Sequence, residues 1–205
     1  INPNGLPDRT ADTGLGTGTG TQKIEMGVFT GVNGTITGAA YVPPLPAPGQ
    51  TVTDTTPGGR LALVTTSGRL YLGNVNGTAT LVAPATGGEQ FVHPVTNAAL
   101  NFQAVAKVPI GVEINGIGGA SGLDRIVIAS TSQNELYAIN VDNGRLMPVL
   151  FDGRTFVPAT AQNFAPANKQ PGLAPGGGGM INALVFNLIK TNPWAWTTRN
   201  PATGV

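Results

Sequence analysis

The chain contains no cysteine and a single histidine, and only 10% of its 205 residues are charged, against roughly 25% in an ordinary soluble domain. Each shortage excludes a class of function. Without cysteine, neither a disulfide scaffold nor a thiolate metal site can form. With His93 as the one imidazole, a zinc site would have to be built almost entirely from carboxylates, so no metal or other cofactor is expected. The 11 Lys and Arg against 10 Asp and Glu give a net charge of +1. Nucleic-acid binding needs clustered cations that this count does not supply. The longest apolar run, Ile181 to Ile189, is interrupted by Asn182 and Asn187, and at about nine residues it is too short for a spanning helix. Intrinsic disorder is also disfavoured, because 40% of the chain is hydrophobic and the net charge is near zero. Ile1 in place of Met is read as a processed or truncated start.

Glycine and proline fill the space that charge leaves, at 30 and 17 residues. They concentrate in three segments, 1–23, 41–59 and 166–179, and elsewhere sit between apolar runs. Residues 1–23 end in Gly14-Leu15-Gly16-Thr17-Gly18-Thr19-Gly20-Thr21, where each Gly would cost a helix about 1 kcal/mol relative to Ala. This reads as a flexible or extended N-terminal arm. A β-rich core is expected over 24–165, then a Gly/Pro-rich loop over 166–179, and a C-terminal apolar strand with a polar tail over 180–205. Val28 to Thr37 reads as a hairpin, with Asn33-Gly34 offering the two positive-φ residues of a type I′ turn. Tyr41 to Gly49, with four prolines, reads as a stiff connector or edge segment and not as a core strand.

From Arg60 the chain becomes a meander. Leu61 to Val64 turns at Ser67-Gly68 into Leu70-Tyr71-Leu72, and Asn76-Gly77 turns again into Thr78 to Val82. Asn97 to Val108 alternates as a strand, although one helical face also fits. Residues 125–158 repeat the meander through Ile126-Val127-Ile128, Leu136-Tyr137-Ala138-Ile139, Leu146 to Phe151, and Thr155-Phe156-Val157. Regularly recurring turn signals between β-branched runs predict an all-β fold, an antiparallel sandwich or meander sheets.

The two meanders are internally similar. Arg60 to Ser67 aligns with Arg125 to Ser132, and, after a short insertion, Leu70-Tyr71 aligns with Leu136-Tyr137. Asn74-Val75 then aligns with Asn140-Val141, and Asn76-Gly77 with Asn143-Gly144. Both copies, over 60–83 and 125–151, resemble the repeat hairpins of quinoprotein-like β-propellers, in which a Leu-Tyr strand runs into an Asp-x-x-Gly turn. The resemblance implies a partial propeller as the alternative fold. The copies lie about 65 residues apart, against roughly 40 to 50 for propeller blades, and no Trp follows Gly144.

No set of acid, base and nucleophile is visible, so an enzyme is not expected. His93 reads as a surface or strand-end residue. Gly118-Gly119-Ala120-Ser121-Gly122 has the wrong order for a nucleophile elbow, and no Gly run ends in the Gly-Lys-Ser/Thr of a phosphate loop. Asp124, Glu135, Asp142 and Asp152 fall in the second meander, where carboxylates could serve glycoside hydrolysis or hold Ca²⁺. Asp142 and Asp152, however, occupy turn positions that Asp fills for conformational reasons. Asn33-Gly34-Thr35 and Asn76-Gly77-Thr78 are glycosylation sequons as well as hairpin turns.

These features predict a structural subunit of an extracellular assembly, such as a surface filament, a pilus-like fibre or a virion exterior. Its partners would be further copies of itself, joined by strand exchange or β-augmentation. The candidate interface residues are Ile24, Val28 and Phe29 near the N-terminal arm, Leu184, Phe186 and Leu188 in the C-terminal strand, and Trp194 and Trp196 beyond it. The alternative is a binding module that recognises a glycan or a protein, with the two tryptophans stacking on the ligand.

Overall fold

A computed structural model describes residues 29–53, 55–110, 114–117, 125–151, 156–159 and 184. Ile24, Val28, Phe186, Leu188, Trp194 and Trp196 lie outside the described residues, as do the whole arm over 1–23, the Gly/Pro-rich loop over 166–179 and, apart from Leu184, the segment 180–205. The described residues contain strands and turns but no helix, and form two antiparallel sheets. Sheet 1 runs in the order β1 (Ile36–Val42), β2 (Arg60–Thr65), β3 (Leu70–Gly73), β4 (Ala79–Leu81). Sheet 2 follows as β5 (Phe102–Lys107), β6 (Ile126–Thr131), β7 (Leu136–Asn140), β8 (Leu146–Phe151), β9 (Phe156–Pro158). Both are meanders in which each strand pairs with the next in sequence, as the turn spacing predicts for β2 to β4 and for β6 to β9.

The tight turns share one chemistry. In Thr65 to Gly68, Asn74 to Gly77 and Thr131 to Asn134, the N–H of the fourth residue donates to the C=O of the first, at 3.2, 3.0 and 2.9 Å. The fourth residue has positive φ, at 73° in Gly68, 80° in Gly77 and 60° in Asn134. This is the longer hairpin loop, a type I turn followed by a left-handed residue, and not the tight type I′ loop. Asn134 tolerates the position because its short polar side chain accepts left-handed φ better than other residues with a Cβ.

Sequence reading and structure differ at Asn33-Gly34. Gly34 has φ +103° but Asn33 stays at negative φ, and the flanking segments do not pair with each other. Thr30 instead bridges Thr78 in parallel, while Ile36 pairs with Thr65. Tertiary contacts override the local hairpin signal. The Asn33 N–H donates to the Tyr71 hydroxyl at 2.9 Å, and the Ser67 hydroxyl donates to the Asn33 C=O at 3.0 Å. The Tyr41-Val42 end of the proline segment likewise completes β1, with Val42 fully buried.

Register shows the internal repeat more closely than the sequence does. Tyr71 opposes Leu63 and Tyr137 opposes Ala129, so the β2–β3 hairpin maps onto β6–β7 in one continuous register. The insertion that the sequence alignment requires within the hairpin is absent. The extra residue lies one turn later, where Asn140 to Arg145 replaces Asn74 to Thr78. First strands match too: each has a bulge near its start, between Ile36 and Gly38 and between Phe102 and Ala104.

The sheets pack face to face with unlike sides in contact. One side of sheet 1, carrying Val42, Ala62, Val64, Leu70 and Leu72, meets the side of sheet 2 that carries Phe102, Val105, Val127, Tyr137 and Ile139. In the shared register, the sheet 1 side corresponds to Val108, Ile128, Leu136 and Ala138, which lie on the far side of sheet 2. The sheets are therefore stacked front to back. Their closest approach is at the first strands, where the Thr37 hydroxyl donates to the Phe102 C=O at 2.8 Å. A Cβ on Gly38 would stand 2.9 Å from the Val105 nitrogen and 3.1 Å from the Ala104 Cα, so only glycine lets the two backbones cross there.

Candidate functional site

A gathering of polar chemistry lies at the hairpin tips, where the 82–101 connection runs from sheet 1 to sheet 2. Arg69 and Glu135 both immediately precede a Leu-Tyr strand, one in each repeat. Arg69 Nη2 pairs with Glu89 Oε2 at 2.8 Å, and Glu135 Oε1 faces His93 Nε2 at 3.4 Å. One position in the repeat, with opposite charge in the two copies, thus anchors the connection twice. Backbone bonds reinforce the anchor, from Phe91 N–H to Gly68 C=O at 2.7 Å and from Ser132 N–H to Asn101 C=O at 2.8 Å. Beneath them, Phe91 and Phe102 meet edge to face with ring centroids 6.3 Å apart.

Glu135 is buried, and its position follows from the β6–β7 turn. The Thr131 hydroxyl accepts the Glu135 N–H at 3.3 Å and donates to Glu135 Oε2 at 3.3 Å. The Tyr137 hydroxyl donates to the same oxygen at 3.3 Å. Burial, and then the adjacent Glu135 charge, push the Tyr137 phenol well above its ordinary value, so it stays protonated as a donor. His93 Nδ1 accepts the N–H groups of Val95 at 3.1 Å and Thr96 at 3.2 Å. Its hydrogen therefore sits on Nε2, toward Glu135. Both ring nitrogens are engaged, one holding the turn and the other facing the carboxylate. The His93 side chain is only 14% exposed, and it directly follows the bridge of Val92 to Ala99, so of the surface and strand-end positions expected for it the second describes it.

Two of the four carboxylates of the second meander are described, and these two do not converge. Glu135 and Asp142 flank opposite ends of β7, about 20 Å apart along the strand, and Asp124 and Asp152 lie outside the described residues. Asp142 pairs with Arg125, whose Nε reaches Oδ1 at 2.9 Å and whose Nη1 donates to Pro43 C=O at 3.1 Å. That arginine ties the β7–β8 turn to the exit of β1. Among the described residues, no group of three His, Cys, Asp or Glu could hold a metal ion. No described helix is long and apolar enough to cross a membrane.

The sheet edges are the second feature with chemical content. β1, β3 and β4 carry no charged residue, and β2 carries only Arg60 at its first position. Edge strands without charge lack the usual protection against pairing with further chain. A strand segment is already attached there: Thr30 N–H donates to Gly77 C=O at 2.8 Å, and Ala79 N–H donates to Thr30 C=O at 3.1 Å. Beyond Ala79, no described strand pairs with the outer edge of β4.

Of the candidate interface residues, the described two lie on opposite outer faces of the stack. The Phe29 ring sits over Gly73, where an added Cβ would come within 3.0 Å of the ring Cζ, and is buried on sheet 1. Leu184 packs half-buried against the outer side of sheet 2. Sequence reading did not single out the Arg69–Glu89 and Glu135–His93 pairs, because each joins distant residues through a connection without periodic pattern. Asn33 and Asn76 are both exposed. No family model, no curated protein and no solved structure matches this chain.

Proposed function

We propose that this protein is a structural subunit of an extracellular assembly, joined to further copies of itself by strand addition at sheet edges. The observation that carries the reading is the parallel attachment of Thr30 to the uncharged edge of β4. Chain on the N-terminal side of β1 there meets a sheet edge that is short of its own protection. Main-chain hydrogen bonds supply the affinity in such a joint, and alternate side chains the specificity. The low total charge supports the same reading, since it leaves little repulsion between copies. An extracellular setting fits the composition and accounts for a surface solvated by Thr, Asn and Gly.

Electron microscopy of the purified chain tests the proposal, with ordered polymers as the expected result. A chain lacking residues 1–23 is expected to fold and to remain dispersed. If that chain polymerises as the intact one does, the N-terminal arm is not the joint.

A further inference from the structure

We infer that His93 is an acid-released latch: on gaining a second proton, at Nδ1, it lets go of the 94–96 tip of the 82–101 connection and keeps Glu135. The latch does not depend on the strand-edge joint. Nδ1 receives the N–H of Val95 at 3.1 Å and that of Thr96 at 3.2 Å. Neither N–H makes another hydrogen bond among the described residues. One lone pair therefore closes the tip over the ring. An imidazole protonated on both nitrogens has no acceptor left. A hydrogen on Nδ1 would point at two further donors, and the contact would change from attractive to repulsive.

Glu135 determines which contact yields. Its Oε1 faces Nε2 at 3.4 Å, while Oε2 accepts from the Thr131 and Tyr137 hydroxyls, each at 3.3 Å. The β6–β7 turn and β7 thus fix the carboxylate, and a cationic ring is held to it more strongly than a neutral one. Half a turn of the ring about Cβ–Cγ does not rescue the tip. It exchanges Nε2 with Cε1 as it exchanges Nδ1 with Cδ2, and so takes Nε2 away from the carboxylate. Behind Glu135, Tyr137 stays protonated and uncharged. At the other hairpin tip, Arg69 and Glu89 are paired with each other.

The base of the loop does not use the imidazole. His93 N–H donates to Ala98 C=O at 2.8 Å, Asn97 N–H donates to His93 C=O at 2.9 Å, and Val92 bridges Ala99. Val95 is 61% exposed, so the tip opens into solvent with little to unpack. Release is confined to residues 94–96. Imidazole is the side chain whose charge ordinarily changes between about pH 5 and 8, so the latch answers to mild acid.

NMR of the full chain between about pH 8 and pH 5 tests the latch, in solution or by magic-angle spinning if the chain polymerises. With one histidine in the sequence, the ring nitrogens give a single pair of resonances. At the upper pH the proton is expected on Nε2 alone. As the second proton is gained, protection of the Val95 and Thr96 amides from solvent exchange, corrected for the intrinsic rate at each pH, falls at least about threefold. The amides of Phe91, Asn97 and Leu100 keep theirs. His93→Asn offers a side-chain acceptor that does not titrate, and is expected to hold both amides across the range. Glu135→Gln removes the charge and moves release to lower pH. A ring that stays singly protonated to pH 5, or one that gains the proton while both amides keep their protection, overturns the latch. Equal release in His93→Asn also overturns it, since acid would then act elsewhere. Release at an unchanged pH in Glu135→Gln overturns the part given to the carboxylate.

Discussion

Sheets 1 and 2 share a register, a turn chemistry and a bulge near the start of the first strand, yet they use their faces differently. Sheet 2 is buried on both sides in its central strands: every residue of β6 and of β7 is buried. Sheet 1 buries the side that meets sheet 2 and leaves the other half-covered by Phe29 and Val32. The difference comes from the connections and not from the strands. The 114–117 turn closes over sheet 2, whereas the corresponding side of sheet 1 is occupied by sheet 2 itself. A repeat that stacks front to back always leaves two unlike ends, and among the described residues they are covered unequally.

The largest expected effect is on the capped end. Leu136→Ala removes a fully buried side chain from the sealed side of sheet 2 and is expected to cost about 2–5 kcal/mol in urea unfolding. The half-buried Leu81 on sheet 1, changed to Ala, is expected to cost about 1 kcal/mol or less, in proportion to its smaller buried area. Equal losses would show that the two ends are sealed alike.

Next is the crossing of the first strands. Gly38→Ala forces the β1 and β5 backbones apart and is expected to cost about 1–3 kcal/mol, as overpacking does. Its register equivalent is Ala104, so the reciprocal Ala104→Gly is expected to cost only the strand penalty of about 1 kcal/mol. If both variants lose the same amount, the close approach is not particular to Gly38.

Smaller still is the effect at the hairpin tip. Tyr137→Phe removes one donor to buried Glu135 and is expected to cost about 1–2 kcal/mol. It also changes the pH dependence, with a defined sign. The folded phenol titrates above the unfolded one, so its contribution is complete below about pH 10 and falls as pH rises further. Stability of the intact protein should therefore drop more steeply above about pH 10 than that of Tyr137→Phe. Parallel curves would place the phenol in contact with solvent. At Tyr71, the equivalent residue, the hydroxyl bonds the Asn33 backbone and no carboxylate, so Tyr71→Phe is expected to cost about 1 kcal/mol or less in the same unfolding experiment.

Much of this architecture could be read before folding was considered. Glycine at positions 68 and 77 and the Asp142-Asn143-Gly144 run mark turns because glycine adopts positive φ without strain, and the β-branched runs between them mark strands. The repeated Leu-Tyr strand marks the two meanders. The candidate site was less legible. His93 and Glu135 are separated by the whole of β5 and β6, and the connection that carries His93 has no period to place it. The Asn33-Gly34 hairpin fails for the same reason, since Tyr71 and Ser67 claim Asn33 from beyond β1 and β2.

Sequence by itself therefore determined the local elements: strands, tight turns, the two-copy meander, and a chain with little charge at its sheet edges. These depend on backbone preferences and on alternation over a few residues. Only the tertiary structure decided which face of each sheet is buried. In strands apolar on both sides, such as Ile126–Thr131, alternation cannot distinguish an inner face from an outer one. Front-to-back stacking, the glycine crossing at Gly38, the double anchoring of the 82–101 connection and the unequal ends all arise from contacts between distant residues, and packing against a partner sheet is what fixes them.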